Sequence, residues 1–148
     1  AHKASHQGII VAEKISGKKI YKFIKEEDIP SCTYSNPQIA SIGLTEEKAK
    51  QQGYDVNIGN FPFIANGKAL ALGEDEGFIK TIFDKNTGEL LGAHMVGAEV
   101  TELLSTYIIG KGLETTPDEF LSNIFPHPTM SEMLYESVLS SESKAIHY

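Results

Sequence analysis

The sequence predicts an α+β fold in which an antiparallel β-sheet carries helices packed on one face. The first observation is a hairpin signal, because the apolar segments 78–83 and 89–97 flank the polar residues Asp-Lys-Asn-Thr-Gly. The second is the order of the elements, since strand patterns cluster in the middle of the chain and helical patterns at its end. An alternating parallel fold would interleave the two. A length of 148 residues is enough for one domain with a proper core.

The N-terminal segment, residues 1–16, predicts a helix because small and apolar residues recur at spacings of three and four. This stripe comprises Ala1, Ala4, Gly8, Val11 and Ile15. The pattern begins without a capping residue before it, so we expect the chain to be a piece of a longer one. A charged connector follows Gly17, and the composition shifts near residues 26–30. We therefore predict a domain boundary between residues 1–28 and 29–148.

Turn and capping residues divide the remainder of the chain. The predicted elements of the middle are a strand, a turn and a return strand over 31–43, a helix capped by Thr45, a strand over 54–63 and a loop over 66–77. Residues 99–112 predict a helix with one apolar stripe. Thr116 and Glu119 form a capping box, with proline at the first position of a helix over 117–125.

Charge and cysteine content exclude several classes of function. The net charge is −7 and arginine is absent, which makes nucleic acid a poor partner. No apolar run reaches the roughly 18 residues that a membrane span needs. Cys32 is the single cysteine, so a mechanism that needs a cysteine pair cannot run on this polypeptide alone. We predict that Cys32 and His94 are structural.

Histidine spacing predicts no metal site. His2 and His6 are four residues apart on the predicted N-terminal helix, a spacing that can hold a metal ion. No third ligand lies near them in the sequence, and structural zinc sites use four ligands. We therefore predict no metal site at His2 and His6.

The segment Phe-Pro-His-Pro-Thr-Met-Ser-Glu, residues 125–132, has two interpretations. In the first, Thr129 and Glu132 are a capping box for the last helix, and the prolines shape the turn. In the second, Pro126 and Pro128 hold His127 on a stiff loop, and Glu132 orients its ring. A carboxylate on one ring nitrogen leaves the other nitrogen to accept a proton, which makes a general base.

Several segments, in order along the chain, resemble the interface domain of the pyridine nucleotide–disulfide oxidoreductases. These are the His-Pro-x-x-x-Glu motif before the final helix, "PSCTYSNPQIASIGLTEEKA", and "GEDEGFIKTIFDKNTGELLGAHMVGAEVTELL". "AHKASHQGIIVAEKI" resembles the last helix of the FAD domain that precedes this domain. The ending "KAIHY" resembles the tail typical of the dihydrolipoyl dehydrogenases in this family. The resemblance covers essentially the whole chain.

The resemblance implies roles for named residues. His127 matches the base that handles the dithiol proton, and Glu132 matches its orienting carboxylate. In the family this pair serves the partner subunit of a homodimer, and the loop at His127 and Pro128 approaches the partner's flavin. Ala1 and His2 match the start of a helix that lies along the flavin of the same chain. Phe125 departs from the pattern, because many relatives have a second histidine there.

The resemblance also implies cofactors and partners. The parent enzyme would use FAD and NAD to oxidise dihydrolipoyl groups of 2-oxoacid dehydrogenase complexes, in bacterial cytoplasm or the mitochondrial matrix. No Gly-x-Gly-x-x-Gly fingerprint is present, so we expect this chain alone to be inactive and to bind neither cofactor. Two alternatives stay open: a stand-alone dimerisation or binding module, and the same domain of a glutathione or mercuric reductase.

Overall fold

Five antiparallel strands form the sheet that organises this chain, and the order of strands across the sheet is β1-β2-β5-β4-β3. The computed structural model describes residues 1–18 and 25–148. The strands are β1 Ser31–Thr33, β2 Gln38–Gly43, β3 Val56–Pro62, β4 Phe78–Asp84 and β5 Leu90–Gly97. The predicted hairpin of β4 and β5 is confirmed, with Phe78 opposite Val96 and Thr81 opposite Ala93. The α+β class with an antiparallel sheet is therefore confirmed.

Six α-helices accompany the sheet in the described ranges. They are α1 His2–Ile15, α2 Glu46–Gln51, α3 Gly67–Leu72, α4 Val100–Gly112, α5 Pro117–Leu121 and α6 Glu132–Ser141. Short 3₁₀ turns span Glu26–Asp28 and Phe63–Ala65. Most of the predicted charged connector, residues 19–24, lies outside the described residues. No helix in the described parts is both long and apolar enough to cross a membrane.

The main core lies between one face of the sheet and the helices α4 and α6. Helix α4 packs on β2 and β5, while α6 packs on β3 and β4. The largest fully buried side chains include Phe61, Phe83, Ile79, Met95, Tyr107 and Leu134. Burying each such side chain contributes about 1.5–3 kcal/mol. Because α6 packs on β3, which is an edge strand, the helix that begins at Glu132 lies toward the β3 edge of the sheet.

A smaller cluster lies on the opposite face of the sheet. Ala49 of α2 packs there with Val56, Ile82 and Leu91. Ile82 alternates along β4 with Thr81 and Phe83, so its side chain points away from the main core. The short helix α2 thus covers part of the second face, while the longer helices α4 and α6 pack on the first.

Helix α6 approaches β3 unusually closely at Gly59. A Cβ atom at Gly59 would lie 1.8 Å from the Ser137 carbonyl oxygen. Thr81 on the neighbouring strand donates its hydroxyl hydrogen to the same carbonyl at 3.3 Å. One turn earlier, the buried Tyr107 hydroxyl donates to the Leu134 carbonyl at 3.0 Å. Burial raises the pKa of this Tyr107 hydroxyl well above its ordinary value. These contacts fix α6 against the sheet.

The structure corrects three predicted elements. The predicted loop over 66–77 contains helix α3, because the Asn66 side chain accepts the Ala69 N–H at 2.8 Å and caps it. Gly73, with φ of 71°, ends this helix in the left-handed conformation. Helix α5 stops at Leu121 rather than at residue 125, and β3 begins at Val56 rather than at residue 54. The predicted caps at Thr45 and Thr116 are confirmed.

Replacing Gly59 by alanine is expected to destabilise the fold by about 1–3 kcal/mol, because the added methyl group overlaps a backbone oxygen that cannot rotate away. Urea unfolding followed by circular dichroism measures the change. Gly67→Ala is the matched control, since nothing lies within 4 Å of a Cβ atom there. Alanine is also the better helix former, so this control should keep or raise stability. Equal unfolding midpoints for the two variants would contradict the close approach.

Candidate functional site

His127 lies on the loop between α5 and α6, with 80% of its side chain exposed. The peptide bond between His127 and Pro128 is cis. Phe125 packs its ring against Tyr135 of α6, with 5.6 Å between the ring centroids. Aromatic contact at this distance stabilises the pair beyond its buried area. The loop is thus held on α6 by Phe125 while the histidine ring projects to the surface.

The ring of His127 is paired with the carboxylate of Glu132. Nδ1 of the histidine and Oε1 of the glutamate are 2.9 Å apart. An ionised carboxylate can only accept hydrogen bonds, so Nδ1 carries the hydrogen. In the neutral ring, Nε2 then has a free lone pair. The predicted histidine–carboxylate geometry is present, with the unbonded nitrogen directed away from Glu132.

The second oxygen of Glu132 serves the backbone. Oε2 accepts the Thr129 N–H at 2.8 Å, which is one half of the predicted capping box. The Thr129 hydroxyl has other partners: it donates to the Pro126 carbonyl at 2.6 Å and lies 2.8 Å from the Ser131 hydroxyl. The two interpretations of this segment are therefore compatible, because one carboxylate satisfies the helix start and the histidine together.

The charge of Glu132 is stabilised where it lies. Partial burial alone would raise the pKa of this carboxyl group, but hydrogen bonds from the Thr129 N–H and the His127 ring outweigh burial. The net result is a pKa below the ordinary value. Glu132 is consequently ionised at neutral pH, so its two oxygens can accept hydrogen bonds from the ring and from the backbone together.

Asn66 fixes the histidine loop from the opposite side, and the sequence analysis missed it. Its side-chain NH₂ group donates to the Thr129 carbonyl at 3.1 Å, while its side-chain oxygen caps α3. Asn66 is 6% exposed, and its contact with Ala69 is buried while its contact with Thr129 is partly buried. An asparagine before an apolar stretch is a helix-start signal, and it predicts the cap. Nothing local predicts the contact with Thr129, which is 63 residues away.

A cavity of about 370 Å³ lies beside the histidine pair. Its lining combines His127 and Glu132 with residues from β3, α3, α6 and the C-terminal segment, residues 145–148. Phe61 contributes apolar wall, and Lys68 contributes positive charge. The exposed His127 ring therefore lies next to a surface that is partly apolar and partly charged.

The structure does not bring Ala1 and His2 to this cavity. They lie at the start of α1, where the His2 ring contacts the Pro30 carbonyl through Nε2 at 3.0 Å. Among the described residues, no group of three or more histidine, cysteine or acidic side chains is arranged to hold a metal ion. Cys32 is half-buried against the main core. His94 contacts the Leu44 carbonyl through Nε2 at 3.0 Å, a structural role.

The Asn66→Ala substitution is expected to lower stability by about 1 kcal/mol and to loosen the histidine loop. The loss of the Thr129 contact should speed hydrogen exchange of the Thr129 amide, measured by NMR. Thr45→Ala is the matched control, because it removes the equivalent cap from α2, far from the loop. It should cost similar stability and leave exchange at Thr129 unchanged. Equal exchange in both variants would argue against the Asn66 link.

Glu132→Gln is expected to lower stability near neutral pH, and the loss should shrink in acid. The folded-state pKa of Glu132 is below its ordinary value of 4.5. Its ionisation therefore stabilises the fold above that ordinary value, and this contribution disappears as pH falls through the folded-state pKa. Urea unfolding at about pH 7 and about pH 3 tests the sign. A gap between wild type and variant that widened in acid would contradict it.

The chain is similar to three curated bacterial proteins named dihydrolipoyl dehydrogenase. It is 60% identical over its full length to the protein of Zymomonas mobilis and 54% identical over 99% of its length to that of Rhizobium etli. Identity to the Bacillus subtilis protein is 46%. The chain spans 31–32% of these proteins, about a third of their length, and matches their C-terminal part.

Solved structures show the same fold. LpdA from Mycobacterium tuberculosis superimposes on 91% of this chain with a TM-score of 0.85 at 20% identity, and the match covers 29% of that protein. The HOCl-induced flavoprotein disulfide reductase RclA from Escherichia coli, in its Cu(II) complex, gives 0.78 at 25% identity. That match covers 87% of this chain and 29% of RclA.

A family assignment covers most of the domain that carries the site. Residues 29–138 match the family described as the dimerisation domain of pyridine nucleotide-disulphide oxidoreductases. The match includes the five strands, His127, Glu132 and most of α6. The chain therefore belongs to the pyridine nucleotide-disulphide oxidoreductase dimerisation-domain family.

Proposed function

We propose that this chain is the dimerisation domain of a dihydrolipoyl dehydrogenase and supplies His127 and Glu132 to the partner subunit of a homodimer. In this proposal residues 29–148 form that domain, and residues 1–28 end a preceding FAD domain. The parent enzyme oxidises dihydrolipoyl groups of 2-oxoacid dehydrogenase complexes in the bacterial cytoplasm. The isolated chain is inactive. The observation that carries the proposal is the geometry of the exposed His127 ring on a half-buried Glu132 carboxylate.

The site is incomplete within this chain. A base that acts on a thiol needs a reacting disulfide nearby, and Cys32 is the single cysteine. Cys32 lies on β1 at one edge of the sheet, whereas α6 packs on β3 and β4 toward the other edge. The disulfide must therefore come from another part of the protein or from a partner, which is the arrangement that a two-fold dimer provides.

The chemistry assigned to the pair is proton removal from the dithiol. The free Nε2 of His127 accepts the proton of one substrate thiol, and the resulting thiolate attacks a disulfide sulfur. A new bond forms between the substrate sulfur and the attacked sulfur. The bond between the two original disulfide sulfurs breaks, and the released sulfur leaves as a thiolate that keeps the electron pair. Glu132 stabilises the imidazolium formed in this step, because its negative charge lies 2.9 Å from Nδ1.

FAD and NAD belong to the remainder of the parent enzyme in this proposal. FAD supplies the two-electron acceptor for the reduced disulfide, and NAD⁺ receives those electrons. This chain lacks the glycine-rich fingerprint that would hold a dinucleotide. His127 and Pro128 would face the partner's flavin, and Ala1 and His2 would lie along the flavin of the same subunit. The proton transfer described above does not depend on how these four residues lie against a flavin.

Exposed apolar side chains support the proposal that an FAD domain precedes this domain and that the domain forms a dimer. Val11 and Ile15 of the predicted stripe on α1 are 55% and 82% exposed, so the stripe has no cover within the described chain. Ile9, which lies outside the stripe, is also 56% exposed. Near the end of α4, Ile109 and Leu113 are 64% and 74% exposed. Apolar patches of this kind mark contact surfaces.

The second candidate function is the same domain in another flavoprotein disulfide reductase. The similarity to RclA, with a TM-score of 0.78 at 25% identity, is the observation that supports this second candidate. The 60% identity to a dihydrolipoyl dehydrogenase favours the lipoyl substrate. Activity of the full-length protein with dihydrolipoamide, compared with reduced glutathione, separates the two candidates.

In the full-length enzyme, His127→Gln is expected to slow dithiol oxidation by about 10²–10⁴-fold, because glutamine cannot accept the thiol proton. Stopped-flow reduction of the flavin by dihydrolipoamide measures the step. Size-exclusion chromatography and the flavin spectrum should show an intact, yellow dimer.

The control for this experiment is His94→Gln, because the glutamine amide can still donate to the Leu44 carbonyl that the ring contacts. This variant should keep near-normal flavin reduction. A near-normal rate in His127→Gln would remove His127 from the mechanism, while loss of rate in both variants would point to misfolding.

A further inference from the structure

Helix α6 carries a second histidine–carboxylate pair one turn beyond the first. Glu136 follows Glu132 by four residues, so both side chains leave the same side of the helix. Oε1 of Glu136 lies 2.6 Å from Nδ1 of His147. Its Oε2 accepts the Ile146 N–H at 3.0 Å. Each glutamate thus contacts one histidine ring and one backbone N–H group.

The two carboxylates differ in burial. The side chain of Glu136 is 6% exposed, whereas that of Glu132 is 27% exposed. A buried carboxylate is costly unless hydrogen bonds satisfy it. The partners identified for Glu136 both come from the C-terminal segment, residues 145–148. The position of that segment is therefore tied to Glu136.

Further contacts hold the same segment along α6. The Lys144 N–H donates to the Leu139 carbonyl at 2.9 Å, where the chain turns back after the helix. The ring of Tyr148 meets Phe61 of β3 edge-on, with 6.4 Å between centroids. The segment therefore returns over the side of α6 that faces the histidine loop.

The returned segment forms part of the wall of the cavity that contains His127. Glu136, Ile146 and His147 line this cavity of about 370 Å³ together with His127 and Glu132. Ile146 is 68% exposed, so it offers the cavity an uncovered apolar side chain. The His147 ring is 65% exposed and stands next to it. A wall with an apolar face beside a base suits a thiol carried on a hydrocarbon chain.

We propose that Glu136 is a positioning residue that fastens residues 145–148 as a wall of the site, and that this wall seats the hydrocarbon arm of the dithiol substrate beside His127. The inference rests on the proposed function for the identity of the substrate. It assigns no proton transfer to Glu136 or His147. Their effect is on substrate seating, so it should appear in KM and leave kcat nearly unchanged.

The test uses the full-length flavoprotein with Glu136→Ala and Glu136→Gln. Loss of the carboxylate should speed hydrogen exchange of the Ile146 amide by about tenfold or more, because the Ile146 N–H loses its hydrogen-bond acceptor. KM for dihydrolipoamide should rise by about three- to tenfold, with kcat within about twofold of wild type. Glu136→Gln should show smaller changes, since its amide oxygen can still accept the Ile146 N–H.

A second variant keeps the test valid if the buried substitutions prevent folding. His147→Ala changes an exposed side chain and leaves the core intact. It should raise KM in the same way without loss of flavin or of the dimer. Glu102→Gln is the matched control, because it removes one exposed carboxylate from α4, which does not line this cavity. It should leave both KM and exchange at Ile146 unchanged.

Two results would overturn the proposal. Unchanged exchange of the Ile146 amide in Glu136→Ala would show that Glu136 does not anchor the segment. Faster exchange with an unchanged KM would show that the anchored wall does not seat the substrate. If the wild-type protein fails to oxidise dihydrolipoamide, the proposed function fails with the substrate assignment, and the exchange measurement still decides the anchor.

Discussion

The contact between α6 and β3 is the constraint on which the site depends. At Gly59 the strand has no side chain, so the Ser137 carbonyl lies where a Cβ atom would otherwise be. The buried hydroxyls of Thr81 and Tyr107 hold two carbonyls of the same helix. A helix fixed this closely has little freedom to slide or rotate, because interiors are close-packed and short of voids. Everything that α6 carries is positioned by this contact.

Helix α6 uses its position to present two carboxylates to opposite chain segments. Glu132 holds the loop that precedes the helix, and Glu136 holds the segment that follows it. Each carboxylate satisfies a backbone N–H and a histidine with its two oxygens. A carboxylate with two oxygens can accept from both partners without competition. Structural support and the placement of a histidine ring are therefore performed by the same atoms, which explains why a capping interpretation and a catalytic interpretation both fit residues 125–132.

The division between a rigid support and an exposed ring suits a site shared between polypeptides. Glu132 is mostly covered and ionised, whereas the His127 ring is 80% exposed. Under the proposed function, the exposed His127 ring reaches a substrate that another subunit holds, while the covered carboxylate keeps its orientation. Asn66 contributes to the same support from α3, since it caps that helix and holds the Thr129 carbonyl. Preorganised support of this kind is what general-base chemistry requires.

The sequence by itself determined the features that depend on neighbours along the chain. These include the β4–β5 hairpin, the caps at Thr45 and Thr116, and the proximity of His127 to Glu132, because turn and cap signals act over a few residues. Helix α3 also had a local signal at Asn66, which the loop interpretation overlooked. Only the tertiary structure decided the contacts between distant residues: Gly59 with Ser137, Asn66 with Thr129, and the return of His147 onto Glu136. These contacts form only when the helices, the sheet and the C-terminal segment pack together. No spacing of residues along the sequence specifies which distant residues then meet.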